Sequence, residues 1–330
     1  MPATQDREPT ALALIPYSAP GELAHMEPTA DKAREYARRA KSAQTLRCYA
    51  TDWKDFTGWC TANALQSLPA TPEVVALYIS ALADKHRAST IQRRLSAISQ
   101  AHQLRGYDSP TKSEIVRSVI KGIRRTLGVA PVEKSPLIAA DIREMVAALP
   151  ETLSGKRDRA LLLLGFAGAF RRSELVALNV EDLEFTNDGL VVILRRSKTD
   201  QEGVGRKIGI PQLSASDACP VSAVRAWLAA TAVTVGPLFR SVALGGVLGT
   251  SRLSDRAVAT TVKKWLPSGR DVSKFSGHSL RAGFVTSAAN GGASVKAIMR
   301  QTGHRSLETL MRYMRDASLF RGNALGATGL

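Results

Sequence analysis

Asn187-Asp188-Gly189-Leu190-Val191-Val192-Ile193-Leu194 decides the fold. Asn-Asp-Gly is hairpin-turn chemistry, because these residues tolerate the positive φ a tight turn needs. The five apolar and β-branched residues behind it suit a pleated strand. Lys207-Ile208-Gly209-Ile210-Pro211 reads as a further strand of the same small sheet. Everything around these segments has helical period, and from Cys219 onward the chain returns to helices. The expectation is a mainly α protein with a small antiparallel β-sheet. Upstream lie helices near 139–149 and 156–168, and one from Arg171 or Arg172 to Leu178. The apolar run Leu161 to Phe170 has ten residues, short of the roughly 20 that span a bilayer. It reads as a buried helix, and no membrane is implied.

Further outward, Gly128 to Pro136 lacks any period and carries two prolines, so residues 129–138 read as a linker. Residues 31–128 read as a helical domain and residues 139–330 as a second domain. In the first, Leu46, Tyr49, Ala50, Trp53, Phe56 and Cys60 recur at three- and four-residue steps and form one apolar helix face. Thr71-Pro72-Glu73 starts a helix to about His86, with a cap, a first-turn proline and an early acid. Ser89 suits the cap of a third helix, with Arg93 and Arg94 on its polar side. Thr111 or Ser113 starts a fourth that carries Lys121, Arg124 and Arg125. Residues 1–30 are proline-rich and acidic and read as a disordered arm.

The charge narrows the function. The 330 residues carry a net +16, which favours a polyanionic partner. Residues 31–128 hold 17 basic against 8 acidic side chains, and residues 129–330 hold 27 against 17. Both domains are therefore suited to grip nucleic acid, and a single basic tail is excluded. The three cysteines lie far apart without a CxxC pair. That argues against a disulfide framework and a cysteine zinc site, and favours a reducing, cytoplasmic and nucleoid-associated setting.

Several segments of the second domain place basic or nucleophilic groups at telling spacings. Arg171 and Glu174 share a helix face. Lys198 follows the strand in Arg195-Arg196-Ser197-Lys198-Thr199-Asp200. His278-Ser279-Leu280-Arg281 again puts two groups three apart. Gly303-His304 sits at a helix end, and Tyr313 follows nine residues later. Leu307, Leu310, Met311 and Met314 form the apolar stripe of that last helix, and Tyr313 falls off its centre. Arg172 competes with Arg171, and Lys207 with Lys198.

In this order, and through Ser276-Gly277-His278-Ser279-Leu280-Arg281-Ala282-Gly283 and Ala169-Phe170-Arg171-Arg172-Ser173-Glu174-Leu175, the chain resembles the tyrosine recombinases of the phage integrase family over residues 40–315. Phe170 replaces the usual leucine and Ala169 the usual glycine. The resemblance implies a C-shaped clamp on DNA, with a helical core-binding domain and an α+β catalytic domain. It implies that Arg171, Lys198, His278, Arg281 and His304 form the phosphate site, supported by Glu174, and that Tyr313 is the nucleophile. Arg93, Arg94, Lys121, Arg124 and Arg125 become candidate DNA contacts. The implied partners are double-stranded DNA with a specific recombination site and a homotetramer on two such sites. No cofactor and no metal are implied. The segment with Leu319, Phe320 and Leu325 becomes a candidate for docking into a neighbouring subunit. A type IB topoisomerase-like enzyme and a non-catalytic basic DNA-binding protein are the competing readings.

Two cations and two histidines also make chemical sense here. Guanidiniums hold the non-bridging oxygens of a phosphodiester in a fixed fork. Histidines donate or move protons, and preorganised donors stabilise the charge of the transition state.

Overall fold

The computed structural model describes residues 40–130, 134–195, 205–213, 217–308, 310 and 311, with positions 29, 32, 35 and 36. Lys198, Tyr313, Met314, Leu319, Phe320, Leu325 and nearly all of the arm at residues 1–30 lie outside the described residues. The chain divides into two compact units, Met1–Pro131 and Val132–Leu330.

In the first unit, four helices follow one another: α1 (Ala43–Ala62), α2 (Pro72–Ala83), α3 (Ala88–Leu104) and α4 (Glu114–Leu127). Ser42, Thr71 and Ser113 each cap a helix by accepting a backbone N–H three residues on. Helix α3 instead opens after Arg87, without a side-chain cap, so Ser89 lies inside it. Helix α2 ends at Ala83, short of His86. Phe56, Tyr78, Ile79, Ile91, Leu95, Ile98 and Val116 close the core, each such side chain contributing about 1.5–3 kcal/mol of burial.

One expectation fails here. Arg94 is buried at 9 % exposure, and its guanidinium donates to Asp55 and to the Tyr78 hydroxyl (2.6 Å). The helical period alone puts it on the polar side, but Asp52, itself buried in α1, and Asp55 draw it into the packed interior. The Arg94 guanidinium is thus held within the helical unit rather than on its polar face. Arg93 is exposed and pairs with Asp52. Lys121, Arg124 and Arg125 are exposed on α4, whose buried residues are Val116 and Ile123.

The second unit begins with α5 (Ala139–Ala147), α6 (Leu153–Ala167) and α7 (Arg172–Ala177). A three-stranded antiparallel sheet follows: β1 (Leu183–Phe185), β2 (Gly189–Leu194) and β3 (Arg206–Pro211), in that order. Leu190 pairs with Ile210 and Val192 with Ile208, so the buried residues of β2 and β3 share one face. Next come α8 (Pro220–Thr231), β4 (Arg240–Val242), β5 (Leu248–Arg252), α9 (Asp255–Lys264), α10 (His278–Asn290) and α11 (Val295–Thr302). The hairpin β4–β5 corrects the expectation of helices alone after Cys219. Its strands are short and have no apolar alternation. They are joined by Gly245 and Gly246 at φ of 88° and 82°, so the turn rather than hydrophobic pattern makes them. Leu161 to Leu164, the apolar second half of α6, are buried in the same core as Trp227 and Phe239. Among the described residues, no helix is long and apolar enough to cross a membrane.

The end of the segment read as linker is core structure. Leu137 is fully buried, and its N–H donates to the Ser279 carbonyl (3.0 Å). A Cβ on Gly283 would lie 1.6 Å from the Leu137 carbonyl oxygen. Glycine at 283 is therefore what lets this strand-like segment lie on α10 beneath Arg281. Gly283→Ala should destabilise the protein by about 2 kcal/mol or more, because the clashing atoms, the Leu137 carbonyl oxygen, carbonyl carbon and nitrogen, are all backbone and none can rotate away. A melting temperature equal to that of the unsubstituted protein would show that the close approach is dispensable.

Candidate active site

The site is assembled from the ends of helices in the second unit. Helix α6 closes in a Schellman motif. Phe170 N–H donates to the Gly165 carbonyl (3.2 Å) and Ala169 N–H to the Phe166 carbonyl (3.0 Å). Ala169 takes the left-handed conformation usually given to glycine, with φ of 49°. Its carbonyl is thereby turned to accept from Arg281 Nη1 (2.7 Å).

Arg281, from the first turns of α10, is 1 % exposed. Its Nη2 lies 3.2 Å from His304 Nε2. Arginine can only donate, so Nε2 is the acceptor. The proton then sits on Nδ1, which donates to the Thr302 hydroxyl (2.7 Å), and that hydroxyl donates to the Ile298 carbonyl (2.7 Å). Thr302 is fully buried. The chain Arg281–His304–Thr302–Ile298 thus sets one neutral tautomer of His304.

Arg171 precedes α7 directly. Its backbone N–H donates to Glu174 Oε2 (2.9 Å) and its Nη1 to Oε1 (2.5 Å). Glu174 is buried, so its carboxylate fixes both the start of α7 and the direction of the guanidinium. Arg172 goes elsewhere. Its stem lies over Gly277, where a Cβ would come within 2.4 Å, and its guanidinium stands 3.7 Å from Asp255. His278 begins α10 with its side chain accessible, and Ser276 Oγ accepts its backbone N–H (3.2 Å). Lys207 is exposed on the outer phase of β3, with Glu184 3.9 Å away.

Both imidazoles feel the surrounding cations. His304 is lowered to about 4, first by burial and then by the charges of Arg281, Arg171, His278 and Arg206. His278 is lowered by loss of solvation and then by Arg281, Arg171 and Arg172. Both rings are therefore neutral at physiological pH without substrate.

The described residues thus bring Arg171, Glu174, His278, Arg281 and His304 into one site. Lys198 and Tyr313 lie outside them. Arg206, Gln301 and Thr302 also serve this neighbourhood and carry no motif that marks them. The one signal is that Arg206 occupies the core-facing phase of β3, where an arginine is out of place. In the expected stripe of the last helix, Leu310 is fully buried, but Leu307 and Met311 are 52 % and 36 % exposed, so the stripe is narrower than its spacing suggests.

Comparison with known proteins matches this architecture in both units. Residues 137–319 fit the model of the phage integrase family, and residues 35–104 fit the phage integrase N-terminal SAM-like domain. The chain belongs to the phage integrase family of tyrosine recombinases. It is 42 % identical to the integrase/recombinase xerD homolog of Selenomonas ruminantium, over 89 % of this chain and 88 % of that one. Recombinase cre of Escherichia phage P1 is 28 % identical, over 84 % and 86 %. The Ser276–Gly283 motif and the nine-residue step to Tyr313 bring Cre first to mind, but the whole-chain identities place Cre as the more distant of these two. XerH site-specific recombinase bound to a palindromic difH substrate shares the fold, with a TM-score of 0.61 at 16 % identity over 91 % of this chain and 83 % of that one. A lambda integrase dimer bound to a COC′ core site gives 0.58 at 18 % over 90 % and 96 %. As a tyrosine-type site-specific recombinase, the protein breaks and rejoins DNA.

The electrostatics of this recombinase site lead to a prediction on its second histidine. In imidazole NMR of the DNA-free protein, His304 should stay neutral at pH 5.5 and titrate near 4. Arg281→Ala removes a neighbouring cation, so protonation becomes easier and the midpoint rises. Burial is the larger cause, so the midpoint should remain below the ordinary 6.5. An Arg281→Ala midpoint that does not rise would remove Arg281 as a source of the shift.

Proposed function

We propose that Tyr313 attacks the scissile phosphate and forms a 3′-phosphotyrosine, its hydroxyl proton passing to a neutral histidine of the site, and that the 5′-oxygen leaves with a proton from Lys198. Strand exchange and the reverse attack of a 5′-hydroxyl then restore the phosphodiester. The observation that carries this reading is the convergence of Arg171 and Arg281 with His278 and His304 on one site. Two fixed guanidiniums match the extra negative charge of a five-coordinate phosphate, and they need no reorganisation when that charge develops. Arg171 rather than Arg172 takes this role, since Glu174 aims it and Arg172 is drawn toward Asp255.

The neutral histidines fit the same scheme. An arriving phosphate brings negative charge into a site crowded with cations, which raises the imidazole pKa values and turns His304 Nε2 from acceptor to donor. The site is thus tuned to gain a proton on binding substrate. Phosphate contacts from Lys121, Arg124, Arg125 and Arg93 in the first unit would add salt-dependent affinity for duplex DNA.

Assembly as a homotetramer on two recombination sites belongs to the same proposal. An apolar cavity of about 470 Å³ opens among α5, α6, β3, α10 and α11, lined by Ile142, Leu163, Phe166, Phe284, Ala288 and Ile298. It suits the apolar residues Leu319, Phe320 and Leu325 of another protomer. Removal of residues 318–330 should leave binding to a single site within about twofold but abolish assembly of paired sites, as read by analytical ultracentrifugation. Full assembly by the truncated chain would assign the cavity to something else.

The chemistry is tested by Tyr313→Phe, which loses only a hydroxyl. It should bind DNA normally and form no covalent adduct. Lys198→Ala should cleave slowly, yet recover when sulfur replaces the bridging 5′-oxygen, because a thiolate leaves without a proton. Arg281→Ala should show no comparable recovery. Recovery in Lys207→Ala alone would move the acid to β3.

A further inference from the structure

The end of α11 must be held still if His304 is to meet Arg281 in a defined geometry. The last carbonyls of any helix lack internal partners and carry partial negative charge. Here Arg206, the first residue of β3, supplies them. Its Nη1 donates to the carbonyls of Gln301 (2.9 Å) and Arg300 (3.3 Å), and its Nη2 to that of Thr302 (3.3 Å). Gly303 follows in the left-handed region, with φ of 68°. A Cβ there would lie between 2.8 and 3.1 Å from three atoms of the Arg206 guanidinium. Glycine is needed twice over, for the backbone turn and for the space the guanidinium fills. His304 is the next residue.

We propose that Arg206 is a positioning residue for DNA cleavage, its guanidinium holding the α11 end so that His304 stands in register with Arg281. The proposal rests on the reading of His304 as a donor to the scissile phosphate. Three of the five Arg206 N–H donors go to these carbonyls, which ties the guanidinium to the helix end. A second tie runs in parallel. Gln301 Nε2 donates to the Ala167 carbonyl (2.8 Å), at the end of the helix that turns into Ala169 and Arg171, and lies 3.4 Å from the Gly209 carbonyl of β3. Arg206 also pairs with Leu194 across the neck of the hairpin whose loop carries Lys198. One side chain therefore links the strand that leads from the acid to the helix end that carries the second histidine. The Arg206 charge also helps keep His304 neutral in the absence of DNA.

The test is a double-mutant cycle in the full-length protein. The probe is a nicked duplex carrying a site that the protein itself enriches from a random-sequence pool, so that covalent complex accumulates. Arg206→Ala should bind this duplex within about twofold of the unsubstituted protein and form adduct at least about tenfold more slowly, a change of about 1.4 kcal/mol in barrier. In a His304→Ala background the same substitution should slow adduct formation by less than about twofold, because the group it positions is already gone. Arg206→Ala should also raise the His304 midpoint in imidazole NMR while leaving that of His278 in place, because Arg206 acts on the first ring and not the second, whereas general loosening of the fold would raise both. If Arg206→Ala is harmless, or slows both backgrounds equally, Arg206 does not act through His304. If His304→Ala alone cleaves at the normal rate, the reading of His304 fails first and takes this proposal with it. Should Arg206→Ala fail to fold by melting temperature, Gly303→Ala, which displaces the guanidinium, must give the same non-additivity with His304→Ala. Additive losses there overturn the proposal.

Discussion

The buried guanidinium of Arg281 is the interaction on which the catalytic unit depends. A charge so nearly removed from water is costly unless its donors are met. Here one donor goes to a backbone carbonyl and another to an imidazole, and neither partner neutralises the charge. Arg171 and Arg206 add further positive charge nearby, with Glu174 as a buried acid beside Arg171. Among the described residues the site therefore holds more positive than negative charge, which favours an anion. A phosphodiester relieves the same repulsion that the fold sustains.

Holding that charge requires a rigid frame, and the frame is built from backbone. The Schellman turn after α6 directs the Ala169 carbonyl at Arg281, and the left-handed Gly303 directs His304 toward the other side of the same guanidinium. Gly283 lets the Leu137 segment press against α10 from behind. Three positions with unusual backbone demands thus surround one arginine. Ala169 alone of the three is strained, as a non-glycine in the left-handed region, and the Leu161–Leu164, Phe170, Leu175 and Leu280 core supplies the packing that holds it there.

The first unit shows the opposite use of arginine. Arg94 is buried with Asp52 and Asp55 around it, and the Tyr78 hydroxyl joins the network at the edge of an aromatic cluster. Charge there is balanced by acids, which leaves a structural role. Removing the buried Asp52 or the Tyr78 hydroxyl would leave the Arg94 guanidinium short of a partner in the interior, so the network couples α1, α2 and α3. The cations Lys121, Arg124 and Arg125 of α4 stay exposed instead.

Much was legible in the residues alone. Local rules placed the cap at Thr71, the buried helix at Leu161–Leu164 and the strands β2 and β3, and narrowed the start of α4 to Thr111 or Ser113, of which Ser113 is the cap, because each depends on neighbours in the chain. The family resemblance singled out Arg171, His278, Arg281 and His304, which the described residues bring into one neighbourhood. The sequence could not show that Arg94 turns inward, since that depends on Asp52 and Asp55 lying across a helix interface. Nor could it show that Arg206 caps α11, since the carbonyls it meets belong to residues about 95 positions away. The β4–β5 hairpin was hidden because glycine turns and long-range pairing make it, with no apolar rhythm to announce it. Spacing along the chain determines which side chains share a face. Only the folded packing decides which charges meet, because that is settled by what each face is pressed against.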